Sequence, residues 1–431
     1  MKRINIGLVG FGNVGSGVVK ILRDRKALLS EKTGLEINIK KVCDQDSSRR
    51  RNVSLAKEML TRDIKDIIND PQIDILVELI GGIHPAKEFI LEALRKGKNV
   101  VTANKALLAQ AGQELFTEAS DRGKNIYFEA SVGAGIPIIK SLREGLVANR
   151  FNSIFGIVNG TSNYILSSMS ENNCSFDDAL KAARLKGFAE KDPSLDIEGL
   201  DSAHKLILLT HLAFGKFVDL KDVFVEGISR ISLADVNYAK ELGFEIKLLA
   251  IAKKEGAELE VSVHPTLIPK GHLLASVGGV FNAIYVSSDL AGNLLFYGPG
   301  AGQLSAASAV VSDLVDLTQD IKAGLFRPTL NSVADKTVKK LRRIEDFESR
   351  YYIRLAALDE PGVLAKISGV LSRFGISIAS VTQKERAKSQ IVPVVMLIHQ
   401  AKEKDMRNAL SIIDRMSAIK EKTVAIRMEE V

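Results

Sequence analysis

The apolar positions of the first 150 residues fall into short runs that alternate with stretches of helical periodicity. "INIGLVG" (Ile4–Gly10) predicts a buried strand, and "GVVKILRDRKALL" predicts the helix after it. Further strands are predicted at "EINIKKVCD", "IDILVELIGG", "KNVVTA" and "NIYFEASVG", and helices at "AKEFILEALRKG" and "ALLAQAGQELFTEASDRG". Strands that are apolar on both faces and alternate with helices indicate a parallel sheet covered by helices. The pattern therefore predicts an open α/β domain over residues 1–150.

The pattern changes after residue 150. Strands are predicted at "FNSIFGIVNG", "EIKLLAIAKKE", "ELEVSVHPTLIP" and "VFNAIYVSSD", with helices at "SFDDALKAARLKG" and "LDSAHKLILLTHLAFG". This mixture predicts a second, α+β domain over 151–302, and the helical stretch 303–320 is expected to return to the first domain. The polar and basic segment 325–349 is expected to be a linker. A compact strand, helix and strand pattern over 350–431 predicts a third domain.

Composition places the chain among globular proteins. The chain has 431 residues, of which 46% are hydrophobic and 26% charged. Two cysteines imply no disulfide framework, so we expect a reducing, cytoplasmic location. The formal charge of +7 comes from 59 basic residues interspersed with 52 acidic ones, without a nucleic-acid-binding motif. No apolar run approaches the roughly 20 residues that would span a membrane. We therefore expect neither a nucleic acid nor a membrane as a partner.

The segment "GFGNVG" matches the G-x-G-x-x-G pattern of dinucleotide-binding loops. It follows a predicted strand and opens a predicted helix, which is the context that the motif requires. Gly10 would permit the tight turn, Gly12 would let the backbone approach a pyrophosphate, and Gly15 would let helix and strand pack closely. The free N–H groups at the start of the helix favour an anion. The segment predicts dinucleotide binding, and the alternative is a glycine-rich turn without a ligand.

Two signals for the type of dinucleotide disagree. The second predicted strand ends at Asp44, which is placed to bind a ribose 2′-hydroxyl and favours NAD(H). The arginines Arg49–Arg51 follow directly and could hold a 2′-phosphate, which favours NADP(H). A solvated basic loop is also compatible with "SSRRR". The sequence leaves the choice of cofactor open.

A second candidate group follows the strand "KNVVTA". Asn104 and Lys105 fall just past its carboxyl end, where open α/β sheets place their ligands. Helix N-termini disfavour cations, so a lysine at this position indicates a function more than an ordinary surface lysine would. Glu129 in "FEASVGAGIPI" ends another predicted strand before two glycines. That turn could direct backbone groups at an ion or cofactor, or be a structural hairpin.

The third candidate group is "GFAEKDPSLDIEGLDSAHKL", which is rich in acids and precedes an apolar helix. Asp201 and Lys205 are spaced i, i+4 and share a helix face, and Glu190 lies in the preceding loop. The alternative is an exposed salt bridge, but the apolar continuation "LILLTHLAF" predicts a sheltered first turn. Two carboxylates and a lysine suit an amino-acid substrate. His204 and His211 complete no zinc spacing and are interpreted as packing or surface residues.

These motifs together resemble the homoserine dehydrogenase family, in the form with a C-terminal ACT domain. The resemblance covers nearly the whole chain, with "GFGNVG", "VVTANKALLA", "FEASVGAGIPII", "VNGTSNYIL", "GFAEKDPSLDIEGLDSAHKL" and "YGPGAG" in the family's order. "LDEPGVLAKISGVLSRFGISIASV" resembles the start of an ACT domain. The resemblance implies a Rossmann-type domain, an α+β substrate-binding and dimerisation domain, and a ferredoxin-like ACT domain.

The resemblance also implies roles for particular residues. The catalytic residues would be Lys205, as proton donor, and Lys105. The cofactor would be held by Phe11, Asn13, Val14, Thr102, Lys105 and Gly302, in addition to Gly10, Gly12, Gly15, Asp44 and Arg49, which the glycine motif and its context indicate. The substrate would be bound by Gly187, Glu190, Asp196 and Asp201. A monovalent cation, Na⁺ or K⁺, would be bound at the carbonyls of Glu129, Val132, Ala134 and Ile136.

The implied reaction is the reversible NAD(P)-dependent reduction of L-aspartate 4-semialdehyde to L-homoserine, in threonine and methionine biosynthesis. Asp359 and Gly362 match the loop at which ACT domains bind a small amino acid, and L-threonine is the implied effector. A homodimer or homotetramer is also implied. One competitor, an aspartate-semialdehyde dehydrogenase, requires an activated cysteine. The other competitor is a redox- or amino-acid-sensing protein without catalytic activity, which would not need a lysine as general acid.

Overall fold

The computed structural model describes residues 2–46, 53–327, 337–384 and 390–430. The strands are β1 (Lys2–Val9), β2 (Leu35–Cys43), β3 (Leu60–Thr61), β4 (Ile75–Glu78), β5 (Asn99–Thr102), β6 (Ile126–Tyr127), β7 (Phe151–Ile157), β8 (Phe224–Val225), β9 (Phe244–Glu255), β10 (Glu258–Pro269), β11 (Phe281–Ser288), β12 (Gly292–Pro299), β13 (Lys340–Leu341), β14 (Glu348–Leu358), β15 (Ile378–Thr382), β16 (Ile391–Lys402) and β17 (Val424–Met428).

The α-helices connect these strands. They are α1 (Asn13–Asp24), α2 (Lys26–Thr33), α3 (Lys65–Ile68), α4 (Ala86–Arg95), α5 (Lys105–Asp121), α6 (Ile138–Lys140), α7 (Gly160–Asn172), α8 (Phe176–Leu185), α9 (Ser194–Ile197), α10 (Leu200–Phe214), α11 (Leu233–Glu241), α12 (Gln303–Ala323), α13 (Val363–Arg373) and α14 (Glu403–Ile413). None of the described helices is long and apolar enough to cross a lipid bilayer.

The chain forms two compact units, which are described separately. The first contains Met1–Phe151, His204–Leu220 and Asn282–Lys336, and the second contains Asn152–Ala203, Lys221–Phe281 and Thr337–Val431. The sequence predicts three domains, over 1–150, 151–302 and 350–431, whereas these two units are defined by compactness alone. The predicted domain boundaries stay a prediction.

A parallel sheet forms the centre of the first unit. Its strand order is β3-β2-β1-β4-β5-β6, and every neighbouring pair is parallel. The apolar runs of the sequence fill β1, β4 and β5, whose interiors are buried because helices cover the sheet. Crossing from β1 in both directions creates a point at which the strand order reverses, and such points bind ligands in open α/β sheets. The predicted α/β fold class is confirmed.

Helix α12 belongs to the core of this sheet although it lies about 300 residues from β1 in sequence. Ala307, Val310 and Leu314 are fully buried and pack in one cluster with residues of β1 and α1. Gly17 of α1 allows the close approach, since a Cβ added there would lie 2.9 Å from the Cβ of Ala307. The stretch 303–320 therefore packs on the first sheet.

Two predicted elements of the first unit differ in the structure. The helix predicted at "GVVKILRDRKALL" is interrupted at Arg25, and α2 after it has no buried residue. The strand predicted at "NIYFEASVG" ends at Tyr127, and Glu129–Ser131 forms a 3₁₀ turn. The chain leaves the sheet there because the amide of Glu129 donates to the Asp313 carboxylate at 2.8 Å rather than to a neighbouring strand.

The second unit is built on a mixed sheet. Its strands follow the order β7-β9-β10-β17-β14-β16-β15, and β9 and β10 form a long antiparallel pair. Residues 348–428 contribute β14, α13, β15, β16, α14 and β17, with a separate core that contains Ile353, Leu355, Ile367 and Met396. This strand, helix, strand, strand, helix, strand order is that of a ferredoxin-like domain. The predicted ferredoxin-like architecture is confirmed.

The C-terminal domain joins the rest of the second unit through strands and charges. Thr266 and Leu267 of β10 pair in parallel with Arg427 and Met428 of β17. Asp235, in a capping box with Ser232 at the start of α11, accepts hydrogen bonds from the hydroxyl of Tyr352 and from the guanidinium of Arg354. Asp235 is fully buried, so its charge is neutralised by a residue of the C-terminal domain.

Candidate active site

The glycine loop after β1 has no room for a side chain at two of its three glycines. Gly10 has φ +95°, and a Cβ there would lie 2.7 Å from the backbone of Leu79. A Cβ on Gly15 would lie 2.1 Å from the carbonyl oxygen of Gly10, so only glycine allows α1 to pack this closely. No atom lies within 4 Å of the Cβ position of Gly12, which leaves open space at the loop. Asn13 and Val14 then begin α1.

Asp44 lies beside this loop at the end of β2. Its Oδ2 accepts a hydrogen bond from the amide of Phe11 at 2.6 Å, and its Oδ1 accepts one from the amide of Asp46 at 2.8 Å. Carboxylate oxygens accept hydrogen bonds from hydroxyl groups, which is the contact that a ribose would make. The structure thus brings Asp44 and the glycine loop together. Arg49 lies outside the described residues.

Glu78, a buried carboxylate at the carboxyl end of β4, holds Thr102 at the carboxyl end of β5, and the Thr102 hydroxyl in turn accepts the backbone amide of Asn104. Glu78 accepts hydrogen bonds from the Thr102 hydroxyl at 2.6 Å and from the amides of Ile80 and Gly81. Asn104 caps α5 by accepting from the amide of Leu107. Lys105 is the half-buried first residue of α5. Sequence reasoning missed Glu78, although a lone acid in the apolar run "ILVELI" was a signal.

Gly302 lies at the other end of the first unit's sequence and is adjacent to α1 in space. It precedes α12 with φ +134°, and the hydroxyl of Ser305 bonds to its carbonyl. The side-chain Nε2 of Gln303 donates to the hydroxyl of Ser16 at 3.0 Å, which joins the start of α12 to the first turn of α1. The structure therefore places the "YGPGAG" segment beside the glycine loop.

The segment from Glu129 to Ile136 forms a tight turn around a buried carboxylate. Glu129 accepts hydrogen bonds from the amides of Ile139 and Lys140 at 2.9 and 2.8 Å. Ala134 adopts φ +50°, and the carbonyl of Ile136 accepts the amide of Ile138. Val132 is buried. The Glu129 side chain thus fixes the backbone of the turn, while the family resemblance implied that carbonyls bind a cation here.

Two carboxylates of the acid-rich segment are joined by one amide. The Nδ2 of Asn159 donates to Asp196 at 2.7 Å and to Asp201 at 2.9 Å, while its Oδ1 accepts the amide of Ser162 at the start of α7. Asn159 is 5% exposed and Asp201 9% exposed. The structure therefore brings Asp196 and Asp201 together in a sheltered position. The segment "VNGTSNYIL" contributes to the family resemblance, but the sequence predicted no role for Asn159.

The loop that carries Gly187 and Glu190 is held against α7. The hydroxyl of Thr161 donates to the carbonyl of Phe188 at 2.7 Å, and the ring of Phe188 packs on that of Tyr164 at 5.1 Å between centroids. Gly187 follows the end of α8 with φ +73°. The side chain of Glu190 is exposed, whereas that of Asp201 is sheltered.

Lys205 lies one turn after Asp201 on α10 and is 8% exposed. The remainder of α10 is apolar and buried, as the sequence pattern predicts. His211 stacks on Phe217 at 3.8 Å between centroids, and burial lowers its pKa to about 4, which makes it a neutral packing residue. No cluster of three potential metal ligands occurs among the described residues.

The cysteines lack the features of a nucleophile. Cys43 is buried in β2, and burial, with a smaller effect from the Asp44 charge, raises its pKa to about 11. Cys174 is half-buried and donates to the carbonyl of Ser168. A nucleophilic cysteine needs a lowered pKa, so Cys43 does not fit a thiol-dependent dehydrogenase.

In the C-terminal domain, Asp359 and Gly362 lie in the loop between β14 and α13. Gly362 has φ +85° and precedes α13, and the Oδ1 of Asp359 accepts the side-chain amide of Gln383 at 3.2 Å. This bond joins the loop to residues that follow β15.

Three family models match consecutive parts of the chain. Residues 10–129 match "Homoserine dehydrogenase, NAD binding domain", residues 137–315 match "Homoserine dehydrogenase", and residues 351–415 match "ACT domain". In turn, the matches cover the glycine loop, then Asn159, Asp196, Asp201 and Lys205, and then the C-terminal domain.

Full-length relatives and solved structures agree with these matches. The chain is 42% identical to a homoserine dehydrogenase of Bacillus subtilis and 41% identical to one of Neisseria gonorrhoeae, covering 100% of this chain and 99% of each relative. The crystal structure of a homoserine dehydrogenase from Thiobacillus denitrificans is 42% identical, with a TM-score of 0.93 over 100% of this chain and 99% of that one. A hyperthermophilic archaeal homoserine dehydrogenase in complex with NADPH is 28% identical, with a TM-score of 0.64 over 75% of this chain and all of that one.

We predict that the stability of Glu129→Gln falls less with rising pH than the stability of the wild type. Burial raises the pKa of Glu129 from about 4.5 to about 7. Between these values the unfolded chain ionises while the folded chain retains the proton, so stability falls as pH rises and changes little above pH 7. A group of this kind contributes roughly 3 kcal/mol to that fall.

Thermal melting of the intact protein at pH 5 and pH 8 measures the effect. The melting temperature of the glutamine variant is expected to differ less between the two pH values than that of the wild type. Glu58→Gln, at an exposed position of the same unit, is the control. An unchanged difference in Glu129→Gln would contradict the assignment.

Proposed function

The chain belongs to the homoserine dehydrogenase family of NAD(P)-dependent oxidoreductases, and we propose that it interconverts L-aspartate 4-semialdehyde and L-homoserine. The observation that carries the choice of substrate is the pair Asp196 and Asp201, held together by the amide of Asn159 one helical turn before Lys205. Both substrates carry an α-ammonium group, and a sheltered pair of carboxylates is the complementary charge.

We assign substrate binding to this pair and to the loop before α9. Asp201 and Asp196 accept hydrogen bonds from the α-ammonium group, while Gly187 and Glu190 contact the substrate from the loop that Thr161 holds. Glu190 is exposed in the structure, so it would reach the substrate through a rearrangement of its side chain or of the loop. Binding then orders a loop, as is common in enzymes that shelter a reaction from water.

We assign proton transfer to Lys205 and charge stabilisation to Lys105. When bound, the nicotinamide cofactor supplies the hydride for reduction of the aldehyde. The Lys205 ammonium donates a proton to the alkoxide oxygen that develops, and in the direction of oxidation the neutral amine of Lys205 accepts the hydroxyl proton. The positive charge of Lys105 stabilises the same oxygen electrostatically.

The residues of the first unit fit a dinucleotide. We propose that Gly10, Gly12 and Gly15 with Phe11, Asn13 and Val14 bind the pyrophosphate, because the space at Gly12 is open and the amides of α1 face it. Asp44 would bind a ribose hydroxyl, and Thr102, Lys105 and Gly302 would border the nicotinamide end. NADP(H) and NAD(H) are both compatible with these residues.

A monovalent cation and a cytoplasmic location complete the proposal. The carbonyls of Glu129, Val132, Ala134 and Ile136 would bind Na⁺ or K⁺. The buried carboxylate of Glu129 fixes the backbone of that turn by accepting two backbone amides. The carbonyl of Ile136 already accepts an amide, so it would be a weaker ligand than the others. A cytoplasmic location rests on the low cysteine content and stays a prediction.

For the C-terminal domain we propose regulation by L-threonine at the loop of Asp359 and Gly362, and assembly into a homodimer or homotetramer. The match of residues 351–415 to the ACT domain supports an amino-acid effector. A sensing protein without activity is the alternative function, and the presence of both Lys105 and Lys205 favours the enzyme.

We predict that Lys205→Ala lowers kcat for NADPH oxidation with L-aspartate 4-semialdehyde by about a hundredfold or more, because it removes the proton donor. Lys205→Arg retains the charge but cannot exchange its proton near neutral pH, so it is expected to be nearly as impaired. Lys96→Ala, on an exposed helix end, is the control. Turnover of Lys205→Ala at the wild-type rate would rule out the assignment, and absence of turnover in the wild type would rule out the function.

We also predict that L-threonine at millimolar concentration lowers the initial rate, and that Asp359→Asn weakens this inhibition at least tenfold by weakening contact with the effector's ammonium group. Initial rates are measured over a threonine titration, with Asp405→Asn of the same domain as the control. Inhibition that is equal in Asp359→Asn and the wild type would exclude the Asp359 site, and absence of inhibition in the wild type would exclude threonine regulation.

A further inference from the structure

The last strand of the chain carries a buried arginine that bridges two parts of the second unit. The Nε and Nη2 atoms of Arg427 donate to Glu403 at 3.0 and 2.7 Å, and Nη1 donates to Glu226 at 2.9 Å. The guanidinium also lies 4.6 Å from the ring centroid of Phe224. Arg427 is 5% exposed. Glu403 belongs to the C-terminal domain, whereas Phe224 and Glu226 lie on and after β8.

The segment that follows β8 is fixed at both of its ends. The amide of Glu226 donates to the carbonyl of Val263 in β10 at 2.7 Å. Two residues later, the amide of Ile228 donates to the carbonyl of Ile197 at 2.8 Å. Between them Gly227 lies directly on the end of α9, since a Cβ there would be 2.4 Å from the Ile197 carbonyl oxygen and 2.5 Å from the Cα of Glu198.

Ile197 is adjacent to Asp196, one of the two carboxylates joined by Asn159. The carbonyl of Asp196 accepts the hydroxyl of Ser162, and its side chain accepts the amide of Asn159. A continuous set of contacts therefore runs from Arg427, through Glu226 and Gly227, to the end of α9 and the Asp196–Asp201 pair. Every contact of this set lies within the second unit.

A cavity of about 860 Å³ borders the same junction. Glu198, Leu200, Glu226, Gly227 and Arg427 contribute to its lining. At this junction the Arg427 side chain is 6% exposed, whereas the Glu226 side chain is 36% exposed and borders the cavity.

We propose that Arg427 and Glu226 are positioning residues for substrate binding. The C-terminal domain, through its last strand, holds the backbone of Glu226–Ile228 against α9 and thereby sets the separation of Asp196 and Asp201. The inference rests on the proposed function for its readout in substrate affinity. It gives the C-terminal domain a role in the basal reaction within a single chain, separate from an effector at Asp359.

Gly227→Ala tests the contact with α9. The new methyl group would have to displace the Ile197 carbonyl or the segment itself, so we expect KM for L-homoserine to rise about tenfold or more while KM for the cofactor changes less than twofold. Gly271→Ala is the matched control, because nothing lies within 4 Å of its Cβ position and its φ is outside the left-handed region. Equal KM values for L-homoserine in the two variants would overturn the proposal.

Glu226→Gln tests the link to Arg427 with a smaller change. It removes one charge of the ion pair and is expected to raise KM for L-homoserine severalfold. Tyr352→Phe removes a different contact of the C-terminal domain, the bond to Asp235, and is expected to leave that KM unchanged. A similar rise in both variants would mean that the domain acts only through general stability.

Hydrogen exchange of the intact protein separates the two levels of the proposal. In Gly227→Ala the amides of residues 194–203 are expected to exchange at least tenfold faster than in Gly271→Ala, whatever the substrate is. Unchanged exchange would overturn the positioning role itself. Faster exchange in a protein that does not oxidise L-homoserine would leave the positioning role intact and refute the proposed function.

Discussion

The carboxamide of Asn159 is the contact on which the proposed substrate site depends. Asp196 and Asp201 would repel each other in a sheltered position, and the two N–H groups of one amide bind one carboxylate each. The amide oxygen is fixed in turn by the first turn of α7, so the helix sets the orientation of the whole group. A single neutral side chain thereby holds two negative charges in place.

Buried carboxylates have a similar task elsewhere in the molecule. Glu78 holds the turn after β4, Glu129 holds the turn before α6, and Asp235 caps α11. Each accepts backbone amides that no helix or strand satisfies, which is the requirement for burying a loop. The candidate site is therefore built from loops whose positions are set by side chains rather than by strand pairing, and burial raises the pKa of Glu129 as a consequence.

Sequence periodicity predicted the parallel sheet, the glycine loop and the ferredoxin-like domain because each depends on local patterns of apolar and small residues. Gly15 is required by its contact with Gly10 five residues earlier, and the motif reports this spacing, whereas Gly10 is required by its positive φ and by a contact with Leu79 on the neighbouring strand's continuation. Periodicity did not predict the early end of β6, where the contact between Glu129 and Asp313 overrides local preference, or the break in the helix at Arg25.

The residues that sequence reasoning missed share a different property. Asn159 meets its carboxylates across 37 and 42 residues, and Glu78 meets Thr102 across 24. Arg427 meets Glu226 across 201 residues. Neither periodicity nor motif spacing can predict contacts between residues so far apart in the sequence. The same patterns also cannot distinguish Glu190, which is exposed, from Asp201, which is sheltered. Lys205 was found because its helix is apolar almost all round.

The most direct test of this account is the steady-state kinetics of Asn159→Ala with L-homoserine. Loss of the amide leaves Asp196 and Asp201 without their common partner, so KM for L-homoserine is expected to rise about tenfold or more, while KM for the cofactor stays within twofold of the wild type. A variant with an unchanged KM for L-homoserine, or with an equal rise in both constants, would contradict the claim that this amide arranges the substrate carboxylates.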